Sequence, residues 1–132
     1  MNCFVILFLF SCMQRTTKSA PRFERIIAGD TTFHLCPIVV DNCWGFADSS
    51  QKIKIPPRFD GAYRFTNSLA LVWDNHRCGF IDASGKIIIP LRYDGGLAFF
   101  ENRAVVRRNG KCGYIDTMGK AVTDLSFDDC LY

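Results

Sequence analysis

The chain has 132 residues, 48% of them hydrophobic and 22% charged. That balance excludes a disordered or low-complexity chain and a large multidomain enzyme. Its 16 Lys+Arg against 13 Asp+Glu leave a net charge of +3, a scattered surplus unlike the clustered basic footprint of a nucleic-acid binder. Twelve Phe, four Tyr and two Trp supply enough ring area for a real core.

The first segment, Met1 to Cys12, reads MNCFVILFLFSC. The apolar run Phe4 to Phe10 is too short to span a bilayer as a helix, which takes about 20 residues, but it suits the apolar centre of a secretory signal. Leu9-Phe10-Ser11-Cys12 has the form of a bacterial lipobox. The expectation is cleavage before Cys12, whose thiol carries the lipid, with residues 1–20 serving as signal and short tether. The protein is then exported and anchored to a membrane of the cell envelope, because two or more acyl chains hold stably where one binds marginally. The alternatives are an ordinary cleaved signal, giving a secreted protein, and a hydrophobic N-terminal strand in the core of a cytoplasmic one.

From Pro21 onward the chain is organised by an internal repeat of 34 residues. Gly45, Gly79 and Gly113 keep that spacing, as do Phe46, Phe80 and Tyr114. So do Asp48, Asp82 and Asp116, then Lys52, Lys86 and Lys120, then Phe59, Tyr93 and Phe127, and then Asp60, Asp94 and Asp128. Pro21-Arg22-Phe23-Glu24 echoes Pro57-Arg58-Phe59-Asp60, so an array over 21–132 starts with a partial unit, 21–42. Units of about 43–76 and 77–110 follow, and 111–132 is incomplete. Units this thin bury their apolar faces only by covering one another.

Within a unit the pattern is β. Leu69 to Trp73 and Arg103 to Arg107 are short runs rich in β-branched and bulky apolar residues. Each leads through a tight polar link, Asp74 to Arg77 or Arg108 to Lys111, and Asn109-Gly110 is a strong two-residue hairpin signal. The next strands are Cys78 to Ile81 and Cys112 to Ile115. The stretches Asp82 to Gly85 and Asp116 to Gly119 fit a type I turn, with Asp first and a left-handed Gly fourth. A third strand, Lys86 to Ile89, is expected to stop at Pro90, which cannot donate to a ladder. No capped helical period appears after residue 20. The fold expected is all-β, built from stacked antiparallel three-stranded meanders and hairpins.

These residues carry a family likeness. Trp44-Gly45-Phe46-Ala47-Asp48, Lys52, Ile55-Pro56 and Phe59-Asp60 resemble the WG (KWG) repeat of bacterial proteins. Gly79 to Asp82, Gly85-Lys86, Ile89-Pro90 and Tyr93-Asp94 repeat the pattern, and so do Gly110-Lys111, Gly113 to Asp116 and Gly119-Lys120. Only Trp44 keeps the tryptophan; Cys78 and Cys112 stand in its place. The resemblance implies β-rich repeat arrays, often exported or surface-associated, with an interaction role and no established catalysis.

The candidate chemistry is sparse. The two Asp rows fit turns better than calcium or acid–base catalysis, since they recur in register with turn-forming spacing. No catalytic residue, metal site or cofactor is assigned, and the chain is not expected to be an enzyme. Of the seven Cys, Cys3 falls within the signal and Cys12 is the lipid site. Cys36, Cys43, Cys78, Cys112 and Cys130 remain, with no metal-ligand spacing. They read first as free buried thiols, with a disulfide in an oxidising compartment as the alternative. Recurring rings belong to the core. The rings that do not recur, Tyr63, Trp73 and Phe100, are the better contacts for a partner, and Arg103 and Arg107 share one face of a strand. The partner expected is a protein or an envelope polymer, not a nucleic acid. The alternative role is a structural or accessory subunit that assembles through an open sheet edge.

Overall fold

The computed structural model describes residues 25–26 and 35–130. The signal and tether over 1–20, the lipid site Cys12 and the echo at Pro21 to Glu24 lie outside the described residues. The described chain contains strands and no helix: β1 (Arg25–Ile26), β2 (Leu35–Val40), β3 (Cys43–Asp48), β4 (Ile53–Phe59), β5 (Gly61–Ala62), β6 (Ala70–Asp74), β7 (Arg77–Ile81), β8 (Ile87–Tyr93), β9 (Gly95–Gly96), β10 (Arg103–Arg108) and β11 (Lys111–Asp116). They form three antiparallel meanders, β1-β2-β3-β4, β5-β6-β7-β8 and β9-β10-β11.

The register repeats with the sequence. Trp44 faces Phe59 and Phe46 faces Ile55 in the first sheet; Cys78 faces Tyr93 and Phe80 faces Ile89 in the second. In the third, Cys112 and Phe127 keep the same pairing as an isolated bridge.

Turn chemistry sets this register. Asp41-Asn42, Asn75-His76 and Asn109-Gly110 all have positive φ at both positions, the geometry of the two-residue hairpin whose twist matches its strands. The Asp48 carboxylate accepts from the Ser50 N–H (2.9 Å), the Ser50 hydroxyl (2.6 Å) and the Lys52 N–H (3.0 Å). Asp82 repeats this with Ser84 and Lys86, and Asp116 with Met118 and Lys120. The fourth residue of each turn is left-handed: Gln51, Gly85 and Gly119. The other Asp row secures the hairpin turns. Asp60 accepts from the Asn75 N–H and Asp94 from the Asn109 N–H, while Asp94 pairs with Arg77 and Asp128 with Lys111. Both Asp rows are therefore engaged by turns.

One expectation fails at proline. β8 does not stop at Pro90 but runs on to Tyr93, and β4 passes through Pro56 and Pro57. One residue of β7 lies between Cys78 and Phe80, whereas three of β8 lie between their partners Tyr93 and Ile89, so the strand bulges at the proline. A bulge releases the ladder position that proline cannot fill. The bulged backbone crosses directly over the repeat glycine. A Cβ on Gly79 would lie 2.4 Å from the Ile89 carbonyl oxygen, and one on Gly45 would lie 2.5 Å from that of Ile55. The glycine of the signature is the seat of this crossing.

The cores lie between meanders and repeat with the same offset. Phe46, Ile55 and Phe59 of the first sheet meet Ala62, Phe65, Ala70, Val72 and Ile81 of the second. Phe80, Ile89 and Tyr93 then meet Phe99, Ala104, Val106 and Ile115 of the third. In each core a ring from one meander packs on a ring from the next: Phe46 on Phe65 at 4.9 Å and Phe80 on Phe99 at 4.8 Å between centroids. The Arg58 guanidinium also donates to the Gly85 carbonyl at 2.6 Å, tying the first sheet to the turn of the second.

Candidate functional site

The expected contact residues fall into separate places. Tyr63 and Trp73 come together with Trp44 around a cleft of about 400 Å³, completed by Pro37, Gly61, Ala62 and Arg64. Trp73 stands on β6 opposite Gly61 of β5, and its Cβ lies within 3.4 Å of where a Gly61 Cβ would be. The ring thus covers a glycine and leaves its outer side facing the cleft. Tyr63 is 56% exposed, while both tryptophans are half-buried.

Tyr63 and Trp73 lie outside the repeat signature, and Trp44 is the one tryptophan of that signature the chain retains. One unit later their positions hold Cys78, Leu97 and Arg107, and the meander forms equally well. Arg107 lies against Gly95 as Trp73 lies against Gly61. Trp44 is a site residue that the sequence reading assigned to the repeat signature alone. Its being the single tryptophan of that row was the signal for a further role.

Phe100 and Arg103 line a different and larger groove, of about 720 Å³, with Leu97, Glu101, Val105 and Tyr114 among its walls. Arg103 and Arg107 do share the outer face of β10, alternating with buried Ala104 and Val106. Arg107 nevertheless opens onto a third, small pocket of about 100 Å³ beside Cys112 and Cys130.

The cysteines need a correction. Cys112 and Cys130 form a disulfide across 18 residues, and Cys43 is also disulfide-bonded, so these three are not free thiols. The reason is again the repeat. Positions 44, 78 and 112 face positions 62, 96 and 130, and a Cβ on Gly96 would lie 3.4 Å from the Cys78 sulfur. Only at the last such place do both partners happen to be cysteine. Cys36 and Cys78 are free, with Cys78 fully buried. Burial, reinforced by the Asp94 charge, pushes the Cys78 thiol up to about 12, so it carries almost no thiolate at neutral pH.

The carboxylates are equally committed. The Ser50 hydroxyl first, then the Lys52 N–H, holds the Asp48 carboxyl down at about 2. Asp82 is lowered in the same way, chiefly by the Ser84 hydroxyl. Asp74 is raised by burial and by the nearby Asp60 charge. No cluster of His, Cys, Asp or Glu among the described residues is arranged to hold a metal ion.

The fold defines a class, an all-β array of stacked meanders. Within that class the family is specific: the model of the WG containing repeat matches residues 44–72 and 79–112, and the chain carries WG repeats at these two places. No curated protein matches the chain. No solved structure matches it either.

Proposed function

We propose that this WG-repeat chain is a non-catalytic binding module whose Trp44–Tyr63–Trp73 cleft takes an extended, proline-rich segment of a partner protein. The observation that carries this reading is two rings outside the repeat signature, Tyr63 and Trp73, converging on one cleft with the single retained signature tryptophan, Trp44. Flat aromatic walls suit the preformed polyproline helix, which loses little entropy on docking. The cleft's one charged residue, Arg64, would pair with an acidic residue flanking the prolines. An envelope polysaccharide fits less well, because its many hydroxyls would each need a polar partner on burial. Catalysis finds no support, since the Asp rows serve turns and, of the two free thiols Cys36 and Cys78, Cys78 is buried and protonated while Cys36 lines none of the clefts described.

The module is exported and anchored through Cys12. The Cys112–Cys130 disulfide supports an oxidising compartment independently of the lipobox. If Cys12→Ser leaves the protein in the membrane fraction as fully as before, the anchor is refuted.

The cleft is tested by intrinsic fluorescence, because the chain's two tryptophans both line it. A synthetic proline-rich peptide with one flanking Glu should shift the emission saturably, with a Kd of roughly 10–100 µM. Tyr63→Ala should weaken this about tenfold without altering the circular dichroism. A saturable response to soluble glycan fragments, with none to the peptide, would overturn the peptide reading.

A further inference from the structure

The aromatic cleft has a counterpart one unit on, with different chemistry. Gly61, Tyr63 and Trp73 of the cleft correspond to Gly95, Leu97 and Arg107, which line the small pocket of the third meander. The pairing is the same in both places: Trp73 faces Gly61, and Arg107 faces Gly95. A Cβ on either glycine would meet the Cβ of that side chain, at 3.4 Å for Trp73 and 3.5 Å for Arg107. Trp73 and Arg107 are therefore successive steps along one side of the array. This position faces outward within the array, because Trp73 has a meander packed on either side and still lines the cleft.

The fold does not ask for a cation at this step, since the same position holds Val39 and Trp73 in the earlier units. Nor does the fold neutralise it. Asp94 is taken by Arg77 and Asp128 by Lys111, and no ion pair joins Arg107 or Arg108 to another described residue. Both arginines are exposed. Leu97, 42% exposed, stands where Tyr63 stands in the cleft. The aromatic step is thus followed by an apolar side chain beside a guanidinium.

We infer that Arg107 is a specificity-determining residue of the binding groove, taking an acidic residue of the same partner segment about three residues from the proline held between Tyr63 and Trp73. This second anchor rests on the peptide-binding reading of the aromatic cleft. Packed sheets lie about 10 Å apart, and a polyproline helix rises about 3.1 Å per residue. A segment running along the array therefore meets successive steps roughly three residues apart. It crosses the aromatic step, passes over Leu97 and brings a carboxylate to Arg107, whose guanidinium suits it through two parallel N–H donors. Arg64 belongs to the aromatic step itself, so the two arginines read two different residues of the segment.

The test compares three peptides by tryptophan fluorescence of the full chain. The first is the proline-rich peptide with one flanking Glu. The second carries another Glu three residues from the central proline, and the third has Lys at that place. The second and third are made with the added residue on the N-terminal or the C-terminal side, because a polyproline helix docks in either direction. In one of the two orders the second Glu should tighten binding about threefold, as an exposed ion pair does, and Lys should weaken it. High salt should remove both effects. Arg107→Glu should reverse the preference, so that the Lys peptide binds better than the two-Glu peptide. Arg107 is exposed, so circular dichroism should stay unchanged. A second Glu that brings no gain in either order, or a preference for Glu that survives Arg107→Glu, would overturn the inference and leave the binding by the aromatic cleft standing. A one-Glu peptide that fails to bind the wild type would overturn both.

Discussion

Replacing Gly79 by Ala tests why the repeat places glycine opposite its proline. The added Cβ would stand 2.4 Å from the Ile89 carbonyl oxygen, 2.8 Å from the Leu91 nitrogen and 2.8 Å from the Pro90 carbonyl carbon. All three are backbone atoms of the bulge in β8, so no side-chain rotation relieves the clash. Overpacking costs about 1–3 kcal/mol. Relief here must move the bulge that sets Phe80 against Ile89, so the cost falls at the upper end, about 3 kcal/mol. For a chain of this size that lowers the melting temperature by roughly 10–15 °C. The control is Gly110→Ala, where a Cβ meets nothing within 4 Å but φ is +75°, leaving only a left-handed penalty of about 1 kcal/mol. Thermal unfolding followed by circular dichroism ranks the two. If Gly79→Ala melts at or above Gly110→Ala, the crossing is not what holds glycine in the signature.

Removing the Cys112–Cys130 disulfide by a double Ala substitution should cost about 3 kcal/mol, given the 18-residue separation it closes, read from denaturant midpoints of oxidised protein. In an alkylation time course on folded protein, Cys36 should react well before Cys78, whose thiol is buried and held near 12; equal rates would contradict the burial. The low Asp48 and Asp82 pKa values stabilise the fold above the ordinary carboxylate value of 3.8. That contribution should fade as pH falls from about 4 toward 2. Asp48→Asn should therefore melt lower than wild type at pH 7 and lose less on acidification; an unchanged pH profile would contradict the turn assignment.

Much of the fold was legible because each turn announces its own geometry. Asn109-Gly110 and the Asp82 to Gly85 stretch specify φ locally, and a gapless offset of 34 carries that geometry from unit to unit. The stacked rings Phe46 and Phe80 were legible for the same reason. The bulges were not, since Pro56 and Pro90 read as strand ends unless the backbone crossing over Gly45 and Gly79 is known. The disulfide was hidden because an 18-residue separation says nothing about proximity until the repeat brings positions 112 and 130 together. The cleft was half legible. Tyr63 and Trp73 stood out as rings outside the period, but their meeting with Trp44 depends on how β3, β5 and β6 pack.

The binding role of that cleft is tested most directly by a two-dimensional ¹H–¹⁵N NMR titration with the proline-rich peptide. The chain has two indole N–H groups, on Trp44 and Trp73. Both signals should move together and saturate along with the amides of Ala62 and Tyr63, while those of Phe100 and Arg103 stay in place. Indole signals that remain unshifted at saturating peptide, or shifts confined to the Phe100 groove, would contradict the account.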